Sequence, residues 1–82
     1  MNAEIEKHVD SMRSLLLDYA NYHASKNNSE LSGTEILDRA ISSVMSMPED
    51  RISKMYTTIA RDKYNRLDFR LAKRIKFLSK VA

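Results

Sequence analysis

The sequence predicts an all-α fold, a small bundle of three or four helices, and two observations carry that prediction. Apolar residues recur at spacings of three and four along most of the chain, which is the period of one helix face. One glycine and one proline in 82 residues leave few places for tight turns, and Val, Ile and Thr are sparse beside Leu, Met, Ala, Lys, Arg and Glu. The latter lose little on entering a helix. With 43% hydrophobic and 30% charged residues, the chain has the apolar content of a folded protein rather than a disordered one. Its length is that of one helical domain over 1–82 with a modest core, since a chain this short buries only about 60–65% of its unfolded surface.

The first helix is expected over about residues 3–24. Ile5, Val9, Met12, Leu16, Tyr19, Ala20 and His23 fall within an arc of roughly 100°, the width of a core-facing stripe. Glu6, Lys7, Asp10, Ser14, Asp18 and Asn21 take the other face, with Leu17 as the one large apolar residue among them. Residues 25–30 read as a polar loop. Ser32-Gly33-Thr34-Glu35 matches a capping box, in which the serine accepts from the third N–H and the glutamate reaches back. It opens a second helix, about 33–46, with the stripe Ile36, Leu37, Ala40, Ile41, Val44 and Met47. Pro48 stops that helix. With Glu49 and Asp50 it also makes a favourable first turn for the third, because proline lacks an N–H that would go unpaired and acids suit the positive end of the helix dipole.

The third helix, about 49–63, presents Ile52, Met55, Tyr56 and Ile59 to the core, but the next residue in that stripe is Lys63. Beyond it the apolar set Tyr64, Leu67, Leu71, Ile75 and Leu78 is rotated by roughly 100°. The phase change predicts a break near Lys63, with Asn65 capping a fourth helix over about 66–80 and Asp68 at its third position. One continuous helix that changes packing partner halfway is the alternative.

Several chemistries have nothing to stand on. The chain has no cysteine, which excludes disulfides, thiolate nucleophiles and Cys-based zinc sites. His8 and His23 lie on one helix about 22 Å apart, too far to share a metal ion. Gly33 stands alone, so no glycine-rich loop cradles phosphate. Four methionines besides the first residue fall on or near apolar stripes, where thioethers fill irregular gaps. No enzyme, metal or cofactor is expected. An enzyme would need a His, a Tyr and an acid brought together in a pocket. The longest apolar run, Leu15-Leu16-Leu17, and the opening residues MNAEIEKHVD provide neither a membrane span nor a signal peptide. A soluble, cytoplasmic protein is expected.

Charge is the pronounced asymmetry. Residues 1–50 hold four Lys or Arg against nine Asp or Glu, a net of −5, and residues 51–82 hold ten against two, a net of +8. Within the fourth helix, the arc opposite the apolar stripe holds Arg66, Phe69, Arg70, Lys73, Arg74, Lys76, Phe77 and Lys80. The wet side of a helix does not need two phenylalanines. They call for cover from Lys and Arg stems, another helix or a partner. A helix with six bases suits a phosphate backbone, with arginine adding bidentate contacts, and rings among bases can stack on unpaired nucleotides. The pattern equally suits acidic protein surfaces, calmodulin-like grooves and anionic membrane surfaces. These eight residues are the expected binding site of a regulatory or accessory protein, with nucleic acid or an acidic protein surface as partner. The alternative is a protein–protein module, an inhibitor or adaptor, with no nucleic-acid role. The charge division also fits a homodimer in which the acidic half of one subunit docks on the basic half of the other.

Overall fold

The structure, a computed structural model, describes residues 2–59, 61 and 63–81. It contains four helices, α1 (Ala3–Lys26), α2 (Gly33–Met45), α3 (Glu49–Thr57) and α4 (Arg66–Val81), so the expected small all-α bundle is the observed fold. α1, α2 and α4 pack on one another in pairs, and α3 rests mainly on α4. The core consists of Ile5, Val9, Leu16 and Ala20 from α1, Ile36, Leu37, Ala40 and Val44 from α2, Ile52 from α3, and Leu67, Leu71 and Ile75 from α4. Every one belongs to a stripe read from the periodicity.

α1 opens on Asn2, whose side chain accepts from the Glu4 N–H at 2.8 Å. It runs two residues past the expected end, because its stop is set by backbone geometry rather than by the first polar residue. Asn28 adopts φ 50°, a left-handed conformation that asparagine tolerates. Around it the Ser29 N–H donates to the Ala24 carbonyl at 2.9 Å and the Asn28 N–H to the Ser25 carbonyl at 3.3 Å. That pair of bonds is the Schellman closure. On the outer side of α1 the intruders differ from expectation: Leu17 is half-buried against the core, and Leu15 is the exposed one, at 63%.

The capping box of α2 forms as expected: the Glu35 N–H donates to Ser32 Oγ at 3.2 Å and the Ser32 N–H to Glu35 Oε1 at 3.3 Å. Gly33 sits against α1, where an added Cβ would overlap the Asn21 side chain and lie 2.9 Å from the Asn21 backbone nitrogen. Only glycine allows so close an approach.

The chain breaks between α3 and α4, and α3 ends at Thr57, six residues before the expected boundary. Two threonines mark the early stop. Thr57 Oγ1 donates to the Ser53 carbonyl at 3.0 Å and Thr58 Oγ1 to the Lys54 carbonyl at 2.6 Å, which also accepts from the Thr58 N–H at 3.1 Å, so both hydroxyls bond back onto the last turn. Thr58 is extended, Ile59 makes an antiparallel bridge with Asn65, and Lys63 turns the chain at φ 66°. Ala60 and Asp62, inside the expected third helix, lie outside the described residues. Ile59 and Tyr64, expected on core stripes, are 61% and 64% exposed, because both belong to this turn rather than to a helix.

Asn65 closes the turn. Its side-chain oxygen accepts from the Leu67 N–H at 2.8 Å, the capping role expected of it. Its side-chain nitrogen donates back to the Tyr56 carbonyl near the end of α3.

Candidate functional site

α4 has two working faces. Leu67, Leu71, Ile75 and Ser79 are buried, and the Ser79 hydroxyl accepts from the Asn27 side chain at 2.9 Å while donating to the Lys76 carbonyl at 2.7 Å. Ser79 was absent from the expected stripe because a hydroxyl gives no apolar signal. The opposite arc carries the bases and both phenylalanines, and α3 lies alongside part of it.

An open groove runs between α3 and α4. One part, about 440 Å³, has Met47, Met55 and Phe69 as its apolar lining and Arg51, Lys54, Arg66, Arg70 and Lys73 around them. A second part continues toward α2, where Ser43, Arg74 and Phe77 join the same Met47, Arg51, Arg70 and Lys73. Six bases therefore share one groove. Among the described residues none of the six forms an ion pair with a carboxylate. Asp68, the single acid of α4, is turned to the other side of the helix, where it meets His8 of α1 at 2.7 Å.

The rings are neither buried nor free. Phe69 is 54% exposed and Phe77 50%. Each has a cation from its own helix beside it: Lys73 Nζ lies 5.7 Å from the Phe69 centroid and the Arg74 guanidinium 5.1 Å from that of Phe77, within the range of a cation–π attraction. Arg74 is half-buried, and its Nε–H is buried with no acceptor among the described residues. Its guanidinium is thus seated against a ring and not against an acid.

Of the eight residues expected to form a site, Arg66, Phe69, Arg70, Lys73, Arg74 and Phe77 line this groove. Lys76 and Lys80 do not. Together with Lys26 they lie near enough to His23, toward the end of α1, for their charge to bear on it. The groove also recruits Arg51 and Lys54 from α3, which sequence reasoning missed. A helical wheel relates residues of one helix only, and nothing in the chain announces how α3 docks against α4.

His23 is the second polar group in the core, 7% exposed, with Tyr19 and Tyr22 edge-on at 4.4 and 5.1 Å. Burial, then the positive field of Lys76, Lys26 and Lys80, holds its pKa below the ordinary histidine value, because the imidazolium would lose hydration and face like charge.

A His, a Tyr and an acid do come together elsewhere. His8 Nε2 is hydrogen-bonded to Asp68 Oδ1 at 2.7 Å, and the Tyr56 ring stands edge-on to His8 at 5.2 Å. These three join α1, α3 and α4 where the helices meet. None of them lines the α3–α4 groove, so the cluster reads as a clamp between helices. Among the described residues no three His, Asp or Glu side chains are grouped to hold a metal ion, and no helix is long and apolar enough to cross a membrane. Another groove, lined by Glu6, Val9, Asp10, Ile41 and Met45, lies along the α1–α2 seam.

Compared with known proteins, the chain matches no family model, no curated protein and no solved structure.

Proposed function

We propose that this is a non-enzymatic regulatory or accessory protein that binds nucleic acid through the α3–α4 groove. The observation that carries the reading is the groove itself: six bases without carboxylate partners among the described residues, gathered from two helices around two half-exposed phenylalanines. Crowding like charges onto one face is unfavourable by itself, and a polyanion relieves it by replacing repulsion with contact while releasing condensed counterions. The proposal places the protein in the cytoplasm, among nucleic acids, and as a monomer or homodimer in solution.

The test is a titration into labelled nucleic acid at several salt concentrations. Binding is expected to weaken steeply as salt rises, with a slope of about 0.7–0.9 per phosphate neutralised. Reversing Arg70, Lys73 and Arg74 to glutamate is expected to abolish it while the helical circular dichroism persists. No binding at low salt, or an unchanged affinity in the reversed variant, would overturn the reading.

A second reading draws on Met47, Met55 and Phe69, the apolar lining of the same groove. Met-rich grooves accept amphipathic helices, and a rim of bases selects one with acidic flanks. This protein–protein module would form a stoichiometric complex that tolerates salt.

A further inference from the structure

We infer that the α3–α4 groove is built for unpaired nucleotides, with Phe69 and Phe77 as two stacking platforms. The inference rests on the nucleic-acid reading and adds which form of nucleic acid fits. Three observations carry it. Each ring leaves about half its surface in solvent. In a duplex the base faces are hidden in the stack, so a ring presented in this way meets a free π-face on an unpaired base, without the cost of prying a base step apart. Each ring also has its own cation, Lys73 beside Phe69 and Arg74 beside Phe77. A base stacked on the ring thus brings its phosphate within reach of a charge already in place.

The third observation is the shape of the site. The bases of α4 do not stand on a helix projecting from the surface, as a major-groove reader requires. They form one wall of a groove whose other wall is α3, with Arg51 and Lys54. A single strand can lie along such a depression, whereas a stiff double helix meets only its rims. The rings are eight residues apart on α4, about 12 Å along its axis. Stacked bases follow one another at about 3.4 Å, so two bases on the two platforms are separated along the strand, and the groove spans about four nucleotides.

The experiment compares a labelled twelve-nucleotide single strand with a duplex closed at both ends by loops too short to offer free bases. Both are titrated by anisotropy at low salt into the wild-type protein and into Phe69→Ala, Phe77→Ala and the Arg70→Glu/Lys73→Glu pair. The single strand is expected to bind at least tenfold more tightly than the closed duplex. Each phenylalanine variant should weaken single-strand binding about five- to hundredfold while leaving duplex binding within twofold. The chain has no tryptophan, so Phe69→Trp and Phe77→Trp each introduce one indole, whose fluorescence should be quenched by the single strand alone. Circular dichroism of every variant confirms that it is folded, and the tryptophan variants retain a ring should an alanine variant fail that check. Equal affinity for strand and closed duplex, or full affinity after loss of either ring, would overturn the stacking inference and leave backbone binding by the groove intact. Absence of binding to both would remove the nucleic-acid reading as well.

Discussion

Among the described residues, α1, α2 and α4 supply eleven of the twelve buried apolar side chains, whereas α3 supplies Ile52 alone. The difference is one of use. α1, α2 and α4 spend their apolar stripes on one another, but α3 divides its stripe between the core, through Ile52, and the groove, through Met55. α3 stays in place through short-range fastenings: the Pro48 entry, the Asn65 bond to the Tyr56 carbonyl and the Tyr56 ring on His8. The core triangle thus provides stability while the strip beside it provides a binding face, and α4 belongs to both.

The largest effect should follow from breaking the triangle. Leu71 is fully buried, and Leu71→Ala is expected to lower the unfolding free energy by about 2–5 kcal/mol in a denaturant titration. That is a large share of the roughly 4–12 kcal/mol expected for a chain of this length. Phe69→Ala, two residues away and on the groove face, should change stability far less, which separates core from site on the same helix. Gly33→Ala forces a methyl group toward the Asn21 backbone, and its thermal unfolding should show a loss of about 1–3 kcal/mol.

The weaker attachment of α3 can be read directly. In native-state hydrogen exchange, amides in the body of α3 should open at least tenfold more readily than those of α4 around Leu71, a difference of about 1.4 kcal/mol or more. Equal protection would mean that α3 is part of the cooperative core. A double-mutant cycle on His8→Ala and Asp68→Ala should give a coupling of about 0.5–1.5 kcal/mol. Zero coupling would show that the clamp contributes nothing to holding α4 on α1.

The gentlest effect is expected from pH. The folded state holds the His23 pKa below its ordinary value, so the unfolded chain takes up this proton first. Stability is therefore fully present above about pH 6.5, and falls as pH drops from there through the lowered folded value. His23→Gln should flatten that part of the stability curve. An unchanged slope would place the titration elsewhere.

Much of this architecture is legible in the sequence, for identifiable reasons. Stripes such as Ile5–Val9–Leu16 and Leu67–Leu71–Ile75 are legible because burial imposes the helical period on them, and the Ser32–Glu35 box because its partners are three residues apart. The end of α3 was hidden, since the phase change near Lys63 marks where the new stripe starts and not where the old helix stops, at Thr57. The groove was half visible. Arg66, Phe69, Arg70, Lys73, Arg74 and Phe77 share an arc of one helix, but Arg51 and Lys54 come from another and reach it through packing. The same limit hid the His8–Tyr56–Asp68 cluster, whose members come from three helices.

The position of α4 in the chain has a consequence for biosynthesis. It is the last of the four helices to leave the ribosome, yet it completes the contacts of α1, α2 and α3 alike. At about 5–20 residues per second, α1 and α2 emerge seconds before Leu67, Leu71 and Ile75 can complete the core they share. Native burial is therefore finished only at the end, and the basic face of α4 is put in place by the same closing event that seals the interior.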